Sequence, residues 1–241
     1  MNILITNDDG IYASQLVPLV KWAQKYGQVT VIAPKVEQSG KSHGIEIHKS
    51  FSFEKVDLAE GVEAYALDST PADCVRYAIL GRKEQFDLVI SGINRGLNIG
   101  ADIMYSGTVG AVCEAANLGV KAIAFSTSPA YYCEAVSQLD KVYNFIVSHD
   151  LFDHCPMYNV NIPGNTDVIR VTRQGGPYYS DNFTLENGMV TPHGIDVFAA
   201  CADGSVDTDC VLRCGHISVM PLSNQRADLA VYRQLSRQLN F

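Results

Sequence analysis

Two adjacent aspartates, Asp8 and Asp9, stand in the run Asn7-Asp8-Asp9-Gly10, directly after the apolar stretch that opens the chain. Within a strand, neighbours point to opposite faces; past its end, with Gly10 permitting an unusual turn, both carboxylates can face one point. Two carboxylates that close repel, and one takes up a proton unless a cation neutralises the pair. A hard divalent ion, Mg²⁺ or Mn²⁺, does so with oxygen ligands in octahedral geometry and keeps some waters. Two further oxygen donors lie in clusters that also follow apolar runs: Ser39 in Ser39-Gly40 and Asn94 in Ser91-Gly92-Ile93-Asn94. Asp8, Asp9, Ser39 and Asn94 together make a chemically sensible set for one ion, with water and substrate in the remaining positions. Asp8-Asp9 would serve equally well as a turn and a cap for the helix beginning near Ala13. Ser39 or Asn94 alone is an ordinary loop residue, and only the joint placement after strands gives them weight.

A second feature is Gly96-Leu97-Asn98-Ile99-Gly100, followed by Tyr105-Ser106-Gly107-Thr108-Val109-Gly110 at the start of a helical pattern. A glycine-rich approach to a helix N-terminus presents backbone N–H groups at the positive end of the helix dipole, a natural anion site, with Ser106 and Thr108 as extra donors. An N-cap with packing glycines accounts for the same residues. Neither the Gly-x-x-x-x-Gly-Lys-[Ser/Thr] loop nor Gly-x-Gly-x-x-Gly occurs there, so tight ATP or dinucleotide binding is not indicated. Cys210-x-x-x-Cys214-Gly-His216 lacks the spacing of a usual zinc finger or ribbon. No Gly-x-Ser-x-Gly elbow supports a serine hydrolase, and of the six histidines only His43, in the loop of Ser39, is placed near the site. Because the two acids are contiguous rather than Asp-x-Asp, direct attack by water is favoured over a phospho-aspartate.

The elements that must position these residues follow from periodicity. Short β-rich runs at residues 2–6, 28–33, 51–56, 63–67, 86–90 and 121–126 alternate with helical patterns at 13–26, 70–81, 108–118 and 134–147, the signature of βαβ units and a mostly parallel sheet. In such a sheet the loops beyond the carboxyl ends of the strands converge on one crevice, where ligands bind. Residues 91–107 read as a loop. After about residue 155 the pattern changes to short β-like runs at 158–162, 168–172, 195–199 and 216–220, then a helix at 226–239. The expectation is an α/β, three-layer αβα fold with a β-rich C-terminal extension and terminal helix: one domain over 1–241, with a catalytic core at 1–150 and an assembly and substrate-shaping part at 151–241.

The chain has 241 residues and, with 18 Lys+Arg against 26 Asp+Glu, a formal net charge of −8. At 47% hydrophobic and 18% charged, it has the composition of a folded chain with a real core. The deficit of cations argues against broad nucleic-acid binding, so phosphate would be handled locally. No apolar run approaches the roughly 20 residues that span a bilayer, no basic leader precedes residues 2–6, and an odd count of seven cysteines, mostly in apolar runs, fits free thiols. A cytoplasmic location is expected.

Asn7-Asp8-Asp9-Gly10, Ala33-Pro34 with Ser39-Gly40, Thr70-Pro71-Ala72-Asp73-Cys74, Ser91-Gly92-Ile93-Asn94-Arg95-Gly96-Leu97-Asn98-Ile99-Gly100 and Tyr105-Ser106-Gly107-Thr108-Val109-Gly110-Ala111 resemble the SurE family of stationary-phase survival proteins. The motifs occur in the family's order over residues 1–126, with echoes in Val171-Thr172-Arg173 and Gly215-His216-Ile217-Ser218-Val219-Met220-Pro221-Leu222. Residues 182–209 depart from the family pattern. The resemblance implies a Rossmann-like core and a metal-dependent nucleotidase releasing phosphate from nucleoside 5′-monophosphates, with 3′-monophosphates as further substrates. It also implies one divalent ion per subunit on Asp8, Asp9, Ser39 and Asn94, with phosphate-side residues Asn98, Ser106, Gly107 and Thr108. Asp8 and Asp9 are the expected catalytic pair. The C-terminal part would exchange elements in a homodimer or homotetramer. Two rivals stand beside it: a phosphatase of wider scope, acting on sugar phosphates or short polyphosphate, and a non-catalytic nucleotide or metal sensor.

Overall fold

A computed structural model of the chain describes residues 1–199 and 204–239. Cys201 lies outside the described residues; the other six cysteines are free thiols. In chain order the elements are β1 (Asn2–Thr6), α1 (Leu16–Ala23), β2 (Gln28–Pro34), β3 (Phe53–Val56), β4 (Glu63–Leu67), α2 (Pro71–Arg76), β5 (Leu88–Arg95), α3 (Gly107–Asn117), β6 (Lys121–Thr127), α4 (Tyr132–Ser148) and α5 (Leu151–His154). The second half adds β7 (Met157–Ile162), β8 (Ile169–Val171), β9 (Tyr179–Glu186), β10 (Met189–Asp196), β11 (Ile217–Pro221) and α6 (Leu229–Gln238).

Nine strands form one sheet in the order β3-β4-β2-β1-β5-β6-β7-β11-β8, parallel from β4 through β7. Near-continuous apolar strands such as β1 and β2 suit this centre, because helices cover both faces. Strand alternation divides the core: Ile3 and Ile5 face one apolar cluster with Leu16, Leu139 and Val142, while Leu4 faces the other with Val75, Val112 and Ala115. That is the expected three-layer αβα fold. The sheet continues past residue 150, since β7 pairs in parallel with β6 and β11 runs antiparallel to β7.

The chain leaves β1 toward β2 on one side and later returns to β1's other side as β5, so strand order reverses at β1. The crevice outside the carboxyl ends of β1 and β5 is where such a sheet binds ligands. Two expectations are corrected. Residues 91–95 are not loop: β5 runs to Arg95, with its pairing to β6 shifted between Ser91 and Asn94. A bulge of this kind re-aims side chains at a sheet rim, and it delivers Asn94 to the crevice. Residues 195–199 are not a separate strand; β10 begins at Met189 and pairs with β9 as an antiparallel hairpin outside the main sheet. Among the described residues no helix is long and apolar enough to cross a membrane.

Candidate active site

The turn after β1 is built by Asn7, whose Nδ2 donates to Gly10 O at 2.9 Å and whose Oδ1 accepts from Gly10 N at 3.0 Å. Asp8 and Asp9 are therefore free of turn duty. Nor do they cap α1, which starts at Leu16 with Gln15 at its N-cap and no side-chain cap. The turn-and-cap alternative falls, and both carboxylates point elsewhere.

Asp8 is buried, and its Oδ1 accepts from Thr108 Oγ1 at 2.5 Å, in the first turn of α3. The approach is close enough that a Cβ on Gly107 would lie 3.0 Å from Asp8 Cβ and 3.2 Å from its Oδ2, so glycine is what lets the helix start meet the carboxylate. Burial, with the Asp9 charge adding to it, raises the Asp8 carboxyl to about 6 against the hydrogen bond from Thr108. Asp9 is half-buried, and its Oδ2 accepts from Gln15 Nε2 at 2.5 Å and from Arg95 N at 3.1 Å. Its carboxyl is also raised by burial.

Ser39 sits in an exposed loop fastened on both sides of the crevice. Gln38 N donates to Asp8 O at 2.7 Å, and Ser42 donates through N to Tyr105 O at 2.9 Å and through Oγ to Met104 O at 2.6 Å. The Ser39 hydroxyl donates to Glu37 Oε1 at 2.7 Å. Asn94 donates Nδ2 to Gly96 O at 2.9 Å, which turns its amide nitrogen to the backbone, while the next residue's N–H holds Asp9. Asp8, Asp9, Asn94 and the loop of Ser39 thus converge at the carboxyl ends of β1, β2 and β5.

Ser106 caps α3, its Oγ accepting from Val109 N at 3.1 Å, and Gly107 and Thr108 begin the helix beside Asp8. Asn98 lies one strand further along the crevice, its Nδ2 donating to Ser126 Oγ at 2.8 Å. His43 does not face the aspartates: its Nε2 pairs with Glu114 Oε2 at 2.7 Å, and Arg76 completes the cluster on Glu114 Oε1 at 2.8 Å. His43, then Arg76, hold the Glu114 carboxyl below its ordinary range. Cys210 Sγ packs on the carbonyls of His216 and Ile217, and among the described residues no three His, Cys, Asp or Glu side chains gather as a metal site.

The donor chemistry fits a hard cation held by a mixed oxygen set. Ion pairs form elsewhere, as at Lys25–Asp140, and among the described residues neither Asp8 nor Asp9 has one. A carboxylate pair with one member buried and the other half-buried, and no ion-pair partner, is one that a bound cation would stabilise. Four participants were missed from sequence. Gln15 and the backbone of Arg95, which hold Asp9, carry no sequence signal; the buried Asn159 and Asn161 at alternate positions of β7 do carry one, a polar repeat on one face of an otherwise apolar strand.

A family model described as Survival protein SurE matches residues 3–181. The chain belongs to the SurE family. The 5′-nucleotidase SurE of Thermosipho melanesiensis is 40% identical over 192 residues, covering 76% of this chain and 74% of its own. The 5′-nucleotidase SurE of Clostridium beijerinckii is 35% identical over 98% of both chains. The crystal structure of the SurE protein from Aquifex aeolicus superposes with a TM-score of 0.79 at 31% identity, covering 99% of both chains. The SurE match thus includes both the crevice and the elements beyond residue 150.

Proposed function

We propose that this chain is a metal-dependent 5′-nucleotidase that releases phosphate from nucleoside monophosphates by attack of water, with 3′-monophosphates as further substrates. The observation that carries it is the Asp8-Asp9 pair without an ion-pair partner among the described residues, Asp9 half-buried and Asp8 buried against the first turn of α3. Asp8, Asp9, Ser39 and Asn94 would hold one Mg²⁺ or Mn²⁺. When bound, the ion lowers the pKa of a water and draws a phosphoryl oxygen. Thr108 fixes the rotamer of Asp8, and Gln15 with the Arg95 N–H fixes that of Asp9. The first turn of α3 at Gly107 and Thr108, with Ser106 and Asn98 beside it, would hold the other phosphoryl oxygens. The aspartate pair takes the proton of the attacking water. The names of the relatives support the same activity.

The decisive assay follows phosphate release from 5′- and 3′-nucleoside monophosphates, sugar phosphates and short polyphosphate with Mg²⁺ or Mn²⁺, then with EDTA. Release from nucleotides that stops on chelation is expected. Activity surviving EDTA would end the metal mechanism, indifference to the nucleoside would make the enzyme a general phosphatase, and saturable binding without release would make it a sensor.

The same proposal includes assembly. β9 and β10 are exposed along their whole length, with Phe183, Leu185, Met189 and Val190 in the open, and α6 exposes Leu229, Val231, Tyr232 and Leu235. Exchange of these elements between subunits of a homodimer or homotetramer would cover them, which light scattering tests. We place the protein in the cytoplasm, where the free thiols Cys74 and Cys210 stay reduced.

A further inference from the structure

In β7, alternation turns Tyr158, Val160 and Ile162 into the apolar core and puts Asn159 and Asn161 on the other face, both wholly buried. Burying two primary amides is costly unless their polar atoms are used. They are used on one residue. Asn161 Oδ1 accepts from Asn98 N at 2.8 Å, its Nδ2 donates to Asn98 O at 2.7 Å, and Asn159 Nδ2 donates to the same carbonyl at 2.7 Å. Asn161 therefore grips both backbone groups of Asn98, as a neighbouring strand would. The side chain of Asn98 is fixed as well: one hydrogen of its Nδ2 goes to Ser126 Oγ at 2.8 Å, which leaves the second for another acceptor.

The next turn is held from the other half of the chain. Asp207, also buried, accepts from Gly100 N at 2.9 Å through Oδ2, and from Gly175 N and Thr208 N at 2.7 Å each through Oδ1. Asn159 Oδ1 is buried with no hydrogen-bond partner, a standing cost that an apolar side chain would avoid. A clamp whose yield were stability alone would not need it.

We infer that Asn161, assisted by Asn159 and Ser126, is a positioning residue that sets the backbone and amide of Asn98, and so aims the remaining Nδ2 hydrogen at a phosphoryl oxygen. The assignment of Asn98 to the phosphoryl group rests on the nucleotidase reading above; the clamp itself does not. Loss of an orienting partner behind a functional group costs about 10- to 100-fold in activity in comparable sites.

The test uses the full chain carrying Asn161→Ala, Ser126→Ala, Asn98→Ala and Asn98→Ala/Asn161→Ala. Kinetics are measured on a nucleoside 5′-monophosphate with Mn²⁺, together with inhibition by inorganic phosphate and residue-resolved amide exchange. Asn161→Ala is expected to lower kcat about 10- to 100-fold, to weaken phosphate inhibition as Asn98→Ala does, and to add little in the double variant. Its Asn98 N–H should lose exchange protection while β1 and β5 keep theirs. Ser126→Ala, which removes the acceptor of the Asn98 side chain and leaves its N–H on Asn161, should lower kcat and weaken phosphate inhibition in the same way but less, with the Asn98 N–H still protected, and serves if Asn161→Ala does not fold. Additive losses in the double variant, or an Asn98 amide still protected without Asn161, would overturn the clamp. An inactive wild type, or an Asn98→Ala variant as active as wild type, would instead overturn the nucleotidase reading or its use of Asn98, while the exchange measurement still decides the clamp.

Discussion

The crevice at the carboxyl ends of β1 and β5 and the projecting β9–β10 hairpin are opposites in construction. In the crevice, the polar side chains after β1 and β5 are buried or half-buried and are held by partners: Asp8 by Thr108, Asp9 by Gln15 and Arg95 N, Asn98 by Ser126, Asn159 and Asn161. Along the hairpin every residue is exposed, and among the described residues the two strands pair only with each other. A two-stranded hairpin is marginal in water unless something packs on it. The candidate site thus lies where one chain fixes its own geometry, and the exposed apolar surface of the hairpin lies elsewhere.

Four changes break or sharpen this contrast. The largest effect is expected from Asp9→Asn, which removes a charge from the pair: phosphate release should fall about 1,000-fold, or roughly 4 kcal/mol of barrier, with the fold retained by circular dichroism. Activity within tenfold of wild type would remove Asp9 from the reaction.

Gly107→Ala places a methyl against Asp8 and Pro71 and should push the helix start off the carboxylate. A displacement near 1 Å costs about 100-fold in rate. An unchanged kcat would show that the contact between helix and aspartate is not used.

The third change is in pH and metal. The Asp8 carboxyl, raised to about 6 from 3.8, binds more proton in the folded than in the unfolded state between those values. Stability of the metal-free protein therefore falls as pH rises from about 4 to 6, by on the order of 2–3 kcal/mol at most, and stays low above. Asp8→Asn should flatten that slope, and Mg²⁺ or Mn²⁺ should raise the melting temperature at pH 7.5 more than at pH 5. Melting curves insensitive to metal at pH 7.5 would deny the pair its cation.

The smallest effect on catalysis is expected from Phe183→Asp with Leu185→Asp on the hairpin. Activity per chain should stay within about twofold, below 0.5 kcal/mol, while light scattering reports a smaller assembly. A collapse in activity at unchanged mass would make the hairpin part of the site.

Much of the central sheet is legible in the sequence, because strands buried on two faces are apolar throughout and helices between them keep their period, as residues 2–6 and 108–118 illustrate. The hairpin is not, because it has no core face to impose alternation; its one strong local signal is Asn187-Gly188, both at positive φ as a two-residue hairpin turn requires. The bulge in β5 is invisible for another reason: a register shift is a relation between β5 and β6, not a property of either.

By itself the sequence determined which oxygen donors exist and that each cluster lies at or just beyond the carboxyl end of a strand, since turn chemistry and residue type are local. Only the tertiary structure decided how they are held. Thr108 reaches Asp8 across 100 residues, and Asn161 reaches Asn98 across 63. Such pairings follow from strand order and register, and those are set where the sheet closes its core rather than by any residue's own preference.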